Sequence, residues 1–342
     1  MPRRLAWTSL SDEDLLKVRF KDLKIGIKGT WLEACVAEVK QELDERGVRV
    51  KPHVWLSDEW FSPDNTPGIA IPFYLAHPRL MRLERKMILD VEGGTEQECK
   101  RILRHEAGHV VQHAYQLQRR RRWIDIFGSS SIRYPRSYRP NPASKNYVQH
   151  LPLWYAQAHP DEDFAETFAV WLSPRSDWRN RYAGWPALRK LEYVDELMSE
   201  IAGQKVVLAR RVKVDPISEM TQTLGEHYER KRANYLTAAP KTYDKDLLRI
   251  FSTDEGRYRR WPTAASFLTR NRVKMRRLVA KWTEEHQLTL DAILDDMIAR
   301  CRELKLRAVG SESKLRTEFT VLWTAQTVHL HYSESRRKWF AL

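Results

Sequence analysis

The five residues His105-Glu106-Ala107-Gly108-His109 constrain this chain more than any other stretch. They lie in a segment, Cys99 to Gln118, whose apolar positions Ile102, Leu103, Val110, Ala114 and Leu117 recur with helical periodicity. Four residues advance a helix by a little over one turn. His105 and His109 therefore project from one face and can share one tetrahedral cation. Glu106 is offset by one position, near enough to reach a water at that cation but not placed as a ligand. The spacing is that of a helix carrying two metal ligands and a general base.

Two histidines leave zinc short of ligands, because a catalytic site normally takes three protein groups and keeps one position open. His113 continues the four-residue step, but a straight helix carries it too far along to reach the same ion. No glycine reverses the chain before it, since Val111-Gln112 occupies that region. Cys99 reads as a small buried hydrophobe at the helix start. An acidic partner is offered further on, in the stretch from Tyr155 to Phe168. Pro160 can open a helix there, which puts Glu162 in its first turn. Glu166 follows four residues later on the same face. Glu162 can bind the metal, and Glu166 can hold a ligand histidine through its second ring nitrogen and so fix the tautomer; the reverse assignment uses the same two residues. Asp161 and Asp163 suit the positive end of a helix. That role does not account for Glu166, deep in an aromatic, apolar run.

With these residues in view, the chain resembles the gluzincin metallopeptidases, and most closely the lethal-factor-like and Pro-Pro endopeptidase group. From about residue 20 to 200 it is also similar to bacterial proteins described as zinc-binding metallopeptidases. In the lethal-factor-like group a tyrosine precedes the glutamate ligand by seven residues and a second glutamate follows it by four; Tyr155, Glu162 and Glu166 meet both spacings. The resemblance implies one zinc ion held by His105, His109 and Glu162, with Glu106 as base, Tyr155 stabilising the oxyanion and Glu166 behind the ligands. It implies a hydrolase, an endopeptidase, acting on a peptide or protein. The chain departs from the group where an aromatic pair is replaced by Asp163-Phe164 before Ala165, a change that spares the inferred ligands. Nothing comparable covers residues 215–342.

The order of elements suits an α+β, zincin-like domain over residues 1–210, followed by a mainly helical region over 211–342. A short helix is expected from Ser11, and a strand over Leu23–Lys28 by alternation. Thr30 then begins a helix with Leu32, Val36, Val39 and Leu43 on one stripe. Further strands are expected at Val48–Leu56, Ile69–Leu75 and Met87–Val91. Pro72 is tolerated best at a sheet edge, which makes Gly68–Leu75 the candidate substrate-facing strand. Residues 119–150 read as a long loop able to cover or rim the cleft, and Trp185–Ala202 as a helix. The C-terminal region is helical, most clearly over Val273–Leu306 with a break near His286–Thr289, and Phe319–Tyr332 alternates like a strand.

Composition decides the remaining questions. With 42% apolar and 30% charged residues in 342, the chain is globular rather than disordered. No apolar run approaches the ~18–20 residues of a membrane span, and the N-terminus lacks a signal-peptide pattern; a cytoplasmic protein is expected. Cys35, Cys99 and Cys301 are odd in number and far apart, so neither a disulfide framework nor a zinc ribbon is indicated. The net charge of +14 admits nucleic acid, an anionic surface or an acidic protein substrate as partner, but no nucleic-acid module motif accompanies it. Its one tight run, Arg119 to Arg122, suits a solvated helix end.

Overall fold

The computed structural model describes residues 5–135, 138–235, 243–254 and 256–333. These form two compact units. The first takes in the described chain up to Arg85 together with Val91–Glu226, and the second takes in Lys86–Asp90 and the chain from His227 onward. The fold class is α+β and mostly helical, with one two-stranded sheet among the described residues.

The first α-helix among the described residues is α1 (Asp12–Leu16), where Ser11 Oγ accepts the Asp14 N–H as an N-cap. Helix α2 (Trp31–Glu45) buries Leu32, Val36, Val39 and Leu43. Strands β1 (His53–Ser57) and β2 (Gly68–Pro72) pair in parallel, His53 opposite Gly68 and Ser57 opposite Pro72. Next come α3 (Pro78–Ile88), α4 (Glu96–Tyr115), α5 (Arg121–Phe127), α6 (Pro160–Leu172), α7 (Trp178–Arg181) and α8 (Ala187–Ile201). The later helices are α9 (Leu224–Tyr235), α10 (Asp244–Ile250), α11 (Ala264–Thr283), α12 (Gln287–Glu303) and α13 (Glu312–Ser333). None of the described helices is long and apolar enough to cross a membrane.

Several expected strands are absent, each for a local reason. Leu23–Lys28 does not extend, because Lys24 (φ 49°) and Gly29 (φ 77°) turn the backbone into the left-handed region. Leu23 is instead buried, its carbonyl accepting the Trp7 indole N–H at 2.8 Å. Met87–Val91 begins as the last turn of α3, whose Leu80, Leu83 and Ile88 are buried with helical spacing. Phe319–Tyr332 lies in α13: Leu315, Phe319 and Trp323 recur every four residues and face the core of the second unit. The stretch over residues 119–150 is less of a loop than expected. Trp123 and Phe127, one turn apart and buried, anchor α5 inside it. Arg121 therefore stands at a helix start rather than an end, and the run is held by ion pairs from Arg120 to Glu200 (2.7 Å) and from Arg122 to Glu196 (2.6 Å). Strand β2 is buried throughout, and its second edge is taken at Ala70, whose N–H donates to the Phe61 carbonyl at 2.9 Å. An extended peptide could not pair along the whole of that edge.

Helix α4 packs on α2, β2 and α6, and α6 packs in turn on α8. At Gly108 the backbones of α4 and α6 approach tightly. A Cβ there would stand 2.8 Å from Ala165 Cα, so only hydrogen fits between the two backbones. Trp123, Phe127, Phe164 and Phe168 form an aromatic layer that ties α5 to α6. In the second unit, Leu247, Phe267, Leu290, Ile293, Leu294, Met297, Ile298 and Trp323 form a separate apolar core. The expected break in the long helical stretch falls at Glu284 (φ 54°), and His286 caps the next helix by accepting the Leu288 N–H.

Candidate metal centre

Helix α4 begins at Thr95, whose hydroxyl accepts the Glu98 N–H, and runs unbroken through both histidines. His159 begins α6 in the same way: its Nδ1 accepts the Asp161 N–H, with Pro160 in the first turn. The crossing at Gly108 brings the middle of α4 against the start of α6. Side chains more than fifty positions apart in the chain thereby meet.

His105 Nε2 lies 3.1 Å from Glu162 Oε2, His109 Nε2 lies 3.3 Å from the same oxygen, and the two imidazole nitrogens stand 3.2 Å apart. All three residues are buried, and their ligand atoms form a group able to hold a metal ion. Atoms placed tetrahedrally at about 2.0–2.1 Å from a centre stand about 3.3 Å from one another. The observed triangle therefore has the dimensions of one face of a zinc site. Its two nitrogens and one carboxylate oxygen are also the donor types zinc takes. Glu166 turns to the far side of His105, where its Oε1 accepts the Nδ1 proton at 2.8 Å and its Oε2 accepts the Leu151 N–H at 2.8 Å. A proton fixed on Nδ1 leaves Nε2 as the free lone pair, aimed into the triangle.

The electrostatics agree with a site built for positive charge. Burial opposes protonation of His105, but the bonded carboxylates of Glu162 and Glu166 outweigh it and hold its pKa well above the ordinary histidine value. Burial likewise opposes ionisation of Glu162, and the neighbouring charges of His109 and His105 keep it far below the usual carboxylate range. Two buried carboxylates here need a cation, whether protons or a metal.

Glu106 is buried one residue along from His105, and its Oε2 has no hydrogen-bond partner among the described residues. Tyr155 is buried with its ring 5.6 Å from that of His105. The two residues before it, Leu153 (φ 66°) and Trp154 (φ 54°), are both left-handed, a backbone strain that non-glycine residues hold only where the surroundings demand it. His113 stands apart from the triangle, its Nε2 3.5 Å from Asp64. Cys99 is buried beside Cys35 and also outside the group, its thiol pushed far up by burial. Asp161 and Asp163 do more than sit at a helix start. Asp161 accepts from Gln112 Nε2 on α4 at 2.7 Å. Asp163, raised to about 7 by burial, contacts Lys190 Nζ at 2.5 Å.

A family model described as "Putative zinc-binding metallo-peptidase" matches residues 101–183. That stretch contains every residue of the triangle, Glu106, Tyr155 and Glu166, and the match supports a zinc-binding metallopeptidase family. No curated protein and no solved structure matches the chain.

One side chain at the site is missed by sequence reasoning. Tyr134, from the loop after α5, donates its hydroxyl to Glu162 Oε1 at 3.1 Å and stacks on His159 at 3.7 Å. No spacing rule links it to the motif. The only sequence signal is an aromatic residue in a long Arg- and Ser-rich loop.

Proposed function

We propose that the chain is a zinc-dependent metallopeptidase of gluzincin type, hydrolysing bonds within a peptide or protein, with His105, His109 and Glu162 holding one zinc ion. The observation that carries this reading is the buried His-His-Glu triangle beside Glu106, a buried carboxylate with an unpartnered oxygen. When bound, zinc polarises a scissile carbonyl and acidifies water at the site. Glu106 takes the proton from the attacking water and delivers it to the leaving amine, a transfer for which its unpartnered Oε2 is available. Tyr155 donates a hydrogen bond to the oxyanion as it develops. Glu166 keeps the His105 tautomer in place. The likeness to the lethal-factor-like group rests on the spacing of Tyr155, Glu162 and Glu166.

Glu106→Gln separates binding from turnover. The variant is expected to retain zinc at the wild-type level while cleavage of a mixed peptide library falls by about 10²–10⁴-fold, the usual worth of a general base. Full activity in that variant would overturn the mechanism. Absence of zinc from the wild-type protein would overturn the metal assignment.

A further inference from the structure

Between α5 and Tyr155 the chain passes the first turn of α6, and alternate residues bond to it. Ser130 Oγ donates to Asp161 Oδ2 at 2.9 Å, the Ile132 carbonyl lies 2.9 Å from His159 Nε2, and Tyr134 donates to Glu162 Oε1 at 3.1 Å. These bonds are mutually consistent. Nδ1 of His159 is the acceptor for the Asp161 N–H, so its Nε2 carries the proton given to Ile132. The imidazole thus locked is the surface on which the Tyr134 ring stacks, with the two planes 13° apart. From the opposite side, Gln112 on α4 holds the other oxygen of Asp161. The turn that carries Glu162 is gripped between α4 and this strap.

We infer that Tyr134 is a positioning residue for the third metal ligand, an inference that rests on the metal-centre reading above. A carboxylate can meet a cation with one oxygen or with both. Oε2 of Glu162 faces both imidazole nitrogens, whereas Oε1 is occupied by the Tyr134 hydroxyl. The phenol thereby presents Oε2 alone, and the position that a second carboxylate oxygen would fill stays open for water or substrate. Ser130 and Ile132 set the height of the strap; the hydroxyl of Tyr134 sets which oxygen faces the ion.

Tyr134→Phe tests this in the full-length protein, because it keeps the ring against His159 and removes only the hydroxyl. Three quantities are compared with wild type: zinc affinity by competition with a chromophoric chelator, the visible spectrum of the fully Co2+-loaded protein, and the unfolding temperature of the metal-free form. The expected result is a zinc affinity about 10–100-fold weaker and Co2+ bands altered in position or intensity, with metal-free unfolding unchanged. Ser130→Ala, which loosens the strap without touching Glu162, is expected to leave the Co2+ spectrum as in wild type. Superimposable Co2+ spectra and equal zinc affinity for Tyr134→Phe overturn the inference while the metal centre stands. An equal spectral change in Ser130→Ala also overturns it, since the strap rather than the hydroxyl would then be responsible. Wild-type protein that takes up no zinc overturns the metal-centre reading and this inference together.

Discussion

One turn of α6 separates two carboxylates with different tasks. Glu162 points its Oε2 at both imidazole nitrogens, whereas Glu166 lies behind His105 on Nδ1 and is tied to the Leu151 amide. Glu162→Gln removes a charged donor from the triangle, so zinc affinity is expected to collapse. Glu166→Gln keeps the triangle and weakens only the support of His105, with an expected loss of about 10–100-fold. Equilibrium dialysis against zinc separates the two, and equal losses would overturn the division of roles. Their four-residue spacing was enough to nominate both carboxylates. What it could not supply was their rank, because a shared helix face says nothing about which side of an imidazole each one meets. Tyr134 was illegible for a related reason. It reaches Glu162 from an irregular loop, where no period relates sequence position to direction.

At the scale of elements, the site depends on how closely α4 and α6 cross. Gly108→Ala would gain about 1 kcal/mol of helix propensity, but its methyl would stand 2.8 Å from Ala165 Cα. Backbone cannot rotate away as a side-chain tip can, and overpacking of this kind costs about 1–3 kcal/mol. The variant is expected to be less stable by up to about 2 kcal/mol in denaturant unfolding and to bind zinc more weakly, because α6 carries Glu162. A variant as stable as wild type with unchanged zinc affinity would show that the crossing is not tight. Elements with a long, strongly periodic apolar face, α2, α4, α8, α11 and α12, could be read from sequence. Leu23–Lys28, Met87–Val91 and Phe319–Tyr332 could not. Alternation over five or six residues is a weak signal, and buried contacts at helical spacing, or a left-handed residue, override it.

Across the whole molecule, each of the two units has its own core, and the second contains a histidine buried in its uncharged form. Burial, reinforced by Lys231 and Arg230, pushes His227 from the ordinary value near 6.5 down to about 3. An unfolded chain takes up a proton on this residue below pH 6.5, whereas the folded chain does not until about pH 3. Unfolding is therefore increasingly favoured as pH falls through that window. The loss is roughly 1 kcal/mol per pH unit, complete below the folded pKa and absent above 6.5. His227→Leu is expected to flatten the fall in unfolding temperature between pH 6.5 and 4, and an unchanged slope would rule His227 out as its source. The sequence by itself determined that His105 and His109 share a helix face, that Glu106 accompanies them without joining them, and that acidic residues near 162–166 are the partners to seek. Those are consequences of helical period and donor chemistry, which act within one turn. Tertiary structure alone decided that α4 and α6 meet at Gly108, which oxygen of Glu162 faces the histidines, and that a tyrosine from a loop holds the other oxygen. Contacts between residues distant in the chain are set by packing, and packing is a property of the folded whole.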